Sequence, residues 1–323
     1  MTAKVSRPSG IILLLGLVMT LAGLSTPARV DAQKKKKAAD GVRSEMIVST
    51  EWLAKHLSDK NVVVIHIAGD RKSFDDGHIP GARFLSTKEI LTTRNGVSNE
   101  LPAVSDLQKT FEKLGIGDTG RVIIYGENSG LLAARVFYTL DYLGHAGRAA
   151  LLDGGIEKWK TEKREVSKVA DGFQTATFTP RVSPSVIVEM ARVRDLSWQS
   201  LSVPAPGVSL IDARPAANYT GDDAGGLQRP GHIPGAVSIY WMQNLVSSEN
   251  PAMKPVTELK KMYSEAGLKP GDLIVTYCRT GMQASHAYFT AKYLGYNVTM
   301  YDGSMSEWVT SEANEVIKGK DRK

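Results

Sequence analysis

An internal repeat with a period of about 150 residues constrains the fold of this chain more than any other feature of its sequence. The segment Gly-His-Ile-Pro-Gly-Ala occupies residues 77–82 and recurs unchanged at residues 231–236. Three more matches follow in the same order in both halves: Val104-Ser105-Asp106-Leu107 with Val256-Thr257-Glu258-Leu259, Tyr142-Leu143-Gly144 with Tyr293-Leu294-Gly295, and Asp153-Gly154 with Asp302-Gly303. The chain is a duplication, and 323 residues are enough for two domains.

Each copy alternates strand-like and helix-like segments. Runs that are apolar on both faces are typical of parallel strands covered by helices, and they occupy residues 62–67, 121–125, 149–152, 209–211, 273–277 and 298–301. Between them, Leu107, Phe111 and Leu114 share a helical face, and Ser105 with Gln108 predicts a capping box. The fold class expected is α/β, with two tandem domains that each hold a mainly parallel sheet flanked by helices.

The N-terminus resembles a secretory signal peptide over residues 1–32. Lys4 and Arg7 precede an apolar run at residues 11–24, and small residues at 30 and 32 form a cleavage site. We therefore expect an exported protein, periplasmic or secreted, without stable membrane insertion if the signal is cleaved; an uncleaved anchor is the alternative. The predicted segments after the signal are a basic spacer at 33–43, an N-terminal domain at 44–165, a linker at 166–183, a C-terminal domain at 184–317 and a tail at 318–323.

The formal charge of +6 does not indicate a nucleic-acid partner. Residues 1–37 hold seven basic side chains and one acidic one, and the remainder of the chain holds 33 of each sign. The predicted domains therefore have no overall basic field, and no nucleic-acid binding is expected. The six histidines show no metal-ligand spacing and there is one cysteine, so neither a metal site nor a disulfide is expected.

The single cysteine, Cys278, lies between a predicted strand and a predicted helix. Open parallel sheets place their sites at the carboxyl ends of strands. The N–H groups and the positive dipole end of the helix, together with the neighbouring Arg279, are expected to lower the pKa of the thiol. The loop continues with Thr280, Gly281, Met282 and Gln283, whose backbone N–H groups are expected to surround the sulfur. This context favours a nucleophile over an inert buried cysteine.

Residues 278–284 resemble the active-site loop of tandem-domain rhodaneses (thiosulfate sulfurtransferases), and the two Gly-His-Ile-Pro-Gly-Ala segments resemble the other signature of that family. The resemblance covers residues 44–317. It implies that the C-terminal copy alone is catalytic, and the repeat offset of 151 places Glu127 opposite Cys278. It also implies a reaction without cofactor, in which Cys278 takes sulfur from thiosulfate as a persulfide and passes it to cyanide or a thiol.

The resemblance further implies which side chains bind the anionic sulfur donor. Arg279 is expected to bind its sulfonate oxygens through paired hydrogen bonds, and Thr280 to donate a hydroxyl hydrogen bond. Arg214 is a second candidate, with a structural ion pair to Asp212 as the alternative. Known members often have lysine at the place of Thr280 and a second arginine at the place of Asn218, so this site carries less positive charge.

Other prominent side chains are expected to be structural. His78 and His232 belong to Gly-x-x-Pro-Gly segments that suit tight turns. Trp159 and Trp308 occupy equivalent positions of the repeat and are expected in the two cores, as is Trp241.

Several rival functions are open at this point. A 3-mercaptopyruvate sulfurtransferase is the nearest, although such enzymes have small uncharged residues after the cysteine where this chain has Arg279. A persulfide carrier that serves a protein partner uses the same cysteine, and a purely structural protein is a further alternative. A Cys-x5-Arg phosphatase is disfavoured because the sixth following residue is Ala284.

Overall fold

The computed structural model describes residues 1–3, 41–202 and 207–323. The chain divides into two compact units, residues 1–40 and 41–323. Of the first unit only residues 1–3 are described, so residues 4–32 of the predicted signal peptide and most of the predicted basic spacer lie outside the described residues. In the described part of the chain, none of the helices has both the length and the apolar character needed to cross a membrane.

The first half of the larger unit is built on a parallel sheet. Its strands and those of a small hairpin are β1 (Ile47–Val48), β2 (Val62–Ala68), β3 (Ala82–Ser86), β4 (Thr92–Arg94), β5 (Val97–Glu100), β6 (Arg121–Gly126) and β7 (Ala149–Leu152). The five strands of the sheet are arranged β1-β7-β6-β2-β3, and every neighbouring pair is parallel. Strands β4 and β5 pair antiparallel as a separate hairpin.

The second half repeats this plan with a four-stranded sheet. Its strands are β8 (Val208–Asp212), β9 (Ala236–Ser238), β10 (Leu273–Tyr277) and β11 (Asn297–Met300). They are arranged β11-β10-β8-β9, and all three pairings are parallel. The expected α/β class, with two sheets that are mainly parallel, is therefore confirmed.

Helices cover both sheets. In the first half they are α1 (Thr50–His56), α2 (Lys72–Asp76), α3 (Val104–Lys113), α4 (Leu131–Tyr142) and α5 (Gly155–Thr161); in the second half they are α6 (Met190–Ser202), α7 (Ala216–Thr220), α8 (Val256–Glu265), α9 (Met282–Tyr293) and α10 (Ser304–Trp308). Short 3-10 helices occupy Ser44–Met46, Thr87–Glu89, Ala146–Arg148, Pro184–Val186 and Trp241–Asn244.

The capping box predicted at Ser105 is wrong. Helix α3 begins at Val104, and its N-cap residue, Ala103, makes no side-chain hydrogen bond. Ser105 lies within the first turn, where its hydroxyl is not placed as that of an N-cap residue. The helical face of Leu107 and Phe111 is confirmed, because both are completely buried.

Residues 166–183 contain no helix or strand, as expected of a linker, but they pack closely against the first half. Phe178 is completely buried and its ring lies 5.2 Å from that of Phe111 and 4.2 Å from that of His145. The C-terminal tail also packs on the fold, since the Arg322 guanidinium donates to the backbone oxygen of Gly235. Both segments therefore contribute to the domains they join or follow.

The predicted structural roles of the paired aromatic residues are confirmed. Trp159 and Trp308 are each 1% exposed, and each donates its indole N–H to a backbone oxygen. His78 and His232 are completely buried, and each imidazole stacks on an aromatic ring. Trp241 is also buried, as expected. None of these five side chains is free to take part in chemistry at the surface.

The two halves share one hydrophobic core, which is formed where α4 packs against α9. These helices occupy equivalent positions of the repeat. The rings of Phe137 and Phe289 meet edge to face at 4.9 Å, and those of Tyr138 and Tyr288 at 5.3 Å. Because α9 directly follows the cysteine loop, this packing brings residues of the first half to the loop.

Candidate active site

Cys278 is the first residue after β10, a strand that lies inside the second sheet between β11 and β8. Its side chain is 1% exposed. Its backbone N–H donates to Oγ of Ser304 at 3.1 Å, and its backbone oxygen accepts from the N–H of Met305 at 3.1 Å. The predicted position between a strand and a helix is therefore confirmed.

Backbone N–H groups of the loop point at the sulfur of Cys278. Those of Ala284, Thr280 and Gln283 donate to it, and they are contributed by the loop and the first turn of α9. Burial nevertheless raises the pKa of the Cys278 thiol, these N–H groups act in the opposite direction, and the carboxylate of Asp212 adds to the increase. The expectation of a lowered pKa is wrong, because desolvation of the buried thiolate outweighs the dipoles that stabilise it.

Gly281 gives the loop its shape. It is buried, precedes α9 and has a φ of +80°, a backbone conformation that residues with a Cβ rarely adopt. A Cβ atom here would lie 2.2 Å from Oδ1 of Asp302. Met282 and Gln283 then begin α9 and are half-buried, and Met282 packs against the shared core. The turn therefore requires glycine for its conformation and for the close approach of Asp302.

Ser304 fixes the loop from the other side. Its Oγ accepts from the backbone N–H groups of both Cys278 and Gly281 at 3.1 Å, and it donates to the backbone oxygen of Tyr301 at 2.9 Å. Its φ is +52°, which is unusual for a residue other than glycine. One hydroxyl thus ties both ends of the cysteine turn to the segment after β11.

Arg279 is exposed and lies beside the glycine-rich loop at residues 221–231. A Cβ atom on Gly226 would lie 2.9 Å from one nitrogen of the Arg279 guanidinium, so the absence of a side chain there makes room for this group. Among the described residues, the guanidinium has no hydrogen-bond or ion-pair partner. It is therefore available to a ligand.

Arg214 lies close to the cysteine, but it is buried and paired. It follows β8, whose last residue, Asp212, is aligned with Tyr277 next to Cys278. Nε and Nη2 of Arg214 donate to the carboxylate of Asp212, at 2.9 Å and 2.6 Å, and Nη2 also donates to the backbone oxygen of Gly231. The ion pair considered as the alternative is therefore present, and substrate binding by Arg214 stays a prediction.

The hydroxyl of Thr280 contacts the first half of the molecule. Nδ2 of Asn99, in β5, donates to Oγ1 of Thr280 at 2.9 Å. Because Oγ1 accepts this bond, the hydroxyl proton of Thr280 remains free to be donated. Asn218, by contrast, donates to the backbone oxygen of Asp223 and supports the glycine-rich loop.

The first copy has the same turn without a nucleophile. Glu127 follows β6 as Cys278 follows β10, and Gly130 precedes α4 with a φ of +82°. Oε2 of Glu127 accepts from the backbone N–H of Gly69 at 3.4 Å. The correspondence of Glu127 with Cys278 that the repeat predicts is confirmed by these positions.

Four residues at the loop were missed as site residues in the sequence: Asn99, Arg135, Asp302 and Ser304. The repeated Asp-Gly pair contains Asp302 and is the one signal that pointed to this region. Asn99 and Arg135 belong to the first half, and their contacts with the loop depend on how the halves pack. In the described residues no group of three or more acidic, histidine or cysteine side chains is arranged to hold a metal ion.

Comparison with known proteins gives consistent matches over most of the chain. A family model described as a rhodanese-like domain matches twice, at residues 49–162 and 196–311. The sulfur carrier protein TtuD of Thermus thermophilus is 31% identical over 86% of this chain and 98% of its own length. A thiosulfate sulfurtransferase of Corynebacterium glutamicum is 32% identical over 82% of this chain and 87% of its own.

Solved structures share the fold. SseA of Escherichia coli, a 3-mercaptopyruvate sulfotransferase, superposes with a TM-score of 0.70 at 25% identity, over 80% of this chain and 98% of its own. YnjE superposes with a TM-score of 0.74 at 25% identity, over 86% of this chain and 69% of its own. The similarity therefore includes both halves and the way they are joined.

Proposed function

The chain belongs to the rhodanese-like family, with two copies of its domain, and we propose that it is a thiosulfate sulfurtransferase that works through a persulfide on Cys278. The observation that carries this proposal is the surroundings of the Cys278 sulfur. Three backbone N–H groups converge on it at the end of a strand, in a turn that Gly281 and Ser304 hold. Such fixed dipoles stabilise an anion at the sulfur without having to reorganise during the reaction.

In the first step, Cys278 loses its proton to solvent and the thiolate attacks the outer sulfur of thiosulfate. A new S–S bond forms to Cys278, the S–S bond of thiosulfate breaks, and sulfite leaves with the bonding electrons. In the second step, cyanide or a thiolate attacks the outer sulfur of the persulfide, and the Cys278 thiolate leaves. Both steps are balanced without an oxidant or reductant, and no metal or organic cofactor enters them.

The charges around the loop support an anionic donor. Arg279 presents an unpaired guanidinium that suits the oxygens of a sulfonate. Thr280 offers its hydroxyl proton, because its oxygen already accepts from Asn99. Nη1 of Arg214 has no hydrogen-bond partner among the described residues, and the side chain is 3% exposed. This nitrogen is therefore the atom of Arg214 that could bind the sulfur donor.

A persulfide carrier is the second candidate, favoured by the similarity to the Thermus thermophilus sulfur carrier. Cys278 is also almost completely buried, which suits a sulfur that is stored until an acceptor arrives. A carrier and an enzyme share the first step and differ in the acceptor. With small acceptors, a carrier is loaded once and does not turn over.

The test is incubation of the protein with thiosulfate, followed by intact mass measurement and by assay of thiocyanate after addition of cyanide. Cys278→Ser is the control variant. A mass gain of one sulfur atom with repeated turnover, both absent from the variant, supports the proposed enzyme. A mass gain without turnover favours the carrier, and no gain with thiosulfate but a gain with 3-mercaptopyruvate favours the alternative donor.

A further inference from the structure

Arg135 is a buried arginine of the non-catalytic half that contacts two residues at the cysteine loop. It lies in α4 and is completely inaccessible to solvent. Its Nη1 and Nη2 donate to Oδ1 and Oδ2 of Asp302 at 2.5 Å and 3.0 Å, which is a bidentate ion pair across the two halves. Nη2 also donates to the backbone oxygen of Asn99 at 2.6 Å.

Each of these two contacts leads directly to the loop. Oδ1 of Asp302 lies against Gly281, in the space a Cβ atom would occupy, and two residues later Ser304 accepts from Cys278 and Gly281. Asn99 donates to the hydroxyl of Thr280. Arg135 therefore restrains the loop from the Gly281 side and from the Thr280 side at once.

The repeat shows what the corresponding position looks like where there is no cysteine. His286 in α9 takes the place of Arg135 at the offset of 151, and Asp153 takes the place of Asp302 at the offset of 149 that relates the two Asp-Gly pairs. Nδ1 of the buried His286 has no hydrogen-bond partner. Asp153 instead accepts from the backbone N–H of Met253, and its ion pair is with Lys158 of its own half. The bidentate pair between the halves is thus confined, among the described residues, to the side of the molecule that carries Cys278.

Domain packing alone does not account for this pair. The halves already meet through the aromatic contacts of α4 and α9 and through a second ion pair, between Lys292 and Asp141. A buried ion pair contributes little net stability, because desolvation of both charges offsets their attraction. A role in fixing geometry is the better explanation for a charged group that is fully buried next to the active loop.

We propose that Arg135 is a positioning residue for sulfur transfer, and that it holds the Cys278 loop in its reactive geometry through Asp302 and Asn99. The inference deepens the proposed function and rests on it for the identity of the reaction. It also assigns a task to the half that lacks a nucleophile: this half completes the active site with a restraint that the catalytic half does not supply.

The full chain with Arg135→Met tests the proposal, and Lys292→Met is its matched control. Both substitutions remove one ion pair between the two halves, but Lys292 pairs with Asp141 and does not touch the loop. Two measurements are made on protein shown by circular dichroism to be folded: the single-turnover rate of persulfide formation from thiosulfate, and the pH profile of Cys278 alkylation by iodoacetamide. The second reports on the thiol and needs no sulfur donor.

We expect Arg135→Met to slow persulfide formation by about 10- to 100-fold, because a small misplacement of reacting groups has effects of this order. The alkylation profile is expected to shift as well, since the N–H groups around the sulfur move. Arg135→Lys is expected to recover part of the rate of persulfide formation, because an ammonium group can still donate one hydrogen bond to Asp302 although it lacks the paired donors of a guanidinium. Lys292→Met is expected to retain the wild-type rate and profile.

The proposal is overturned if Arg135→Met and Lys292→Met behave alike in both measurements at equal folded fraction. If Arg135→Met does not fold, Arg135→Lys and Asp302→Asn take its place, with the same requirement that both measurements change. If the wild-type protein takes no sulfur from thiosulfate, the proposed donor is wrong. The alkylation profile then still decides whether Arg135 positions the loop.

Discussion

Nδ2 of Asn99 donates a hydrogen bond to Oγ1 of Thr280 across the boundary between the two halves, at 2.9 Å. The bond joins a hairpin of the half without a nucleophile to the residue two positions after Cys278. Because Oγ1 accepts this bond, the hydroxyl proton of Thr280 is left free to be donated to an anion at the loop. Binding of the sulfur donor should therefore depend on a residue 181 positions away along the chain.

Asn99→Ala is expected to raise KM for thiosulfate about 3- to 10-fold, because one hydrogen bond contributes a net of about 0.5–1.5 kcal/mol. It is also expected to cost about 1 kcal/mol of stability, since Asn99 has a φ of +68° that alanine adopts less readily than asparagine. Steady-state kinetics with cyanide as acceptor measure the change in KM. Ser98→Ala, an exposed change in the same hairpin, is the control, and equal KM values for the two variants would contradict the prediction.

A comparison of Gly281→Ala with Gly130→Ala distinguishes the effect of backbone strain, which both variants introduce, from that of a steric clash with Asp302, which only Gly281→Ala introduces. Both glycines have a φ near +80°, so both substitutions should cost about 1–2 kcal/mol of stability. A Cβ on Gly130 meets nothing within 4 Å, whereas one on Gly281 lies 2.2 Å from Asp302 Oδ1.

Gly281→Ala should therefore reduce kcat by about 100-fold or more, because the cysteine turn must move. Gly130→Ala should keep kcat within about 3-fold of wild type, since its turn carries no nucleophile. Thermal unfolding and the thiocyanate assay give the two quantities. Similar losses of kcat in both variants would mean that strain alone is responsible.

Substitution of the two arginines near Cys278 should affect different properties of the protein: loss of Arg279 should weaken the binding of thiosulfate, and loss of Arg214 should lower stability. Arg279→Gln is expected to raise KM for thiosulfate by about 10-fold or more, because charge-assisted hydrogen bonds contribute about 1.5–3 kcal/mol. Its unfolding midpoint should be unchanged, since the side chain is exposed and unpaired among the described residues.

Arg214→Met should instead lower the free energy of unfolding by about 3–5 kcal/mol, because it leaves the buried carboxylate of Asp212 without its partner. Denaturant unfolding measures this loss. A stable Arg214→Met protein with a raised KM would show that the residue acts mainly on the donor, as the family resemblance implied.

Glu100 should make the stability of the protein depend on pH. Burial, with the nearby carboxylate of Asp302, raises the pKa of Glu100 to about 7. Since the ordinary pKa of this carboxyl is 4.5, the folded protein binds more protons than the unfolded chain between pH 4.5 and 7. The free energy of unfolding should therefore fall as the pH rises through this interval, and the loss should be complete above pH 7.

Glu100→Gln removes that dependence. We compare the unfolding midpoint of Glu100→Gln with that of the wild type at two pH values. The variant's advantage over the wild type is expected to be larger at pH 8 than at pH 4.5. Scanning calorimetry at both pH values measures the difference, with the exposed Glu312→Gln as control. A difference that is the same at the two pH values would show that Glu100 is not the group responsible.

Alkylation of Cys278 should require alkaline conditions. Burial raises the pKa of the thiol above its ordinary value of 9.0, and the N–H groups of the loop reduce this effect without reversing it. The rate of reaction with iodoacetamide should increase with pH and reach its midpoint above that of a free cysteine. A midpoint below 9.0 would mean that the loop dipoles outweigh desolvation.

The sequence by itself determined the duplication, the α/β class, the strand positions and the place of Cys278 in a turn. These features depend on local patterns, since repeated motifs, apolar runs and a glycine before a helix are visible in one stretch of chain. The exact correspondence of Glu127 with Cys278 followed from the repeat offset alone. The signal predicted at residues 1–32, on which the proposal of an exported protein rests, lies outside the described residues except for residues 1–3.

Only the tertiary structure decided the surroundings of the sulfur. The direction of the pKa shift of Cys278 depends on burial, which sums contributions from segments far apart in the chain, and the local dipoles and Arg279 gave the wrong sign. The pairing of Arg214 with Asp212, and the contacts of Asn99 and Arg135 with the loop, likewise depend on which residues packing brings together. The reactive residue and the type of turn that holds it could be inferred from local sequence. Desolvation of the thiol and contacts between the halves arise only when the chain is folded.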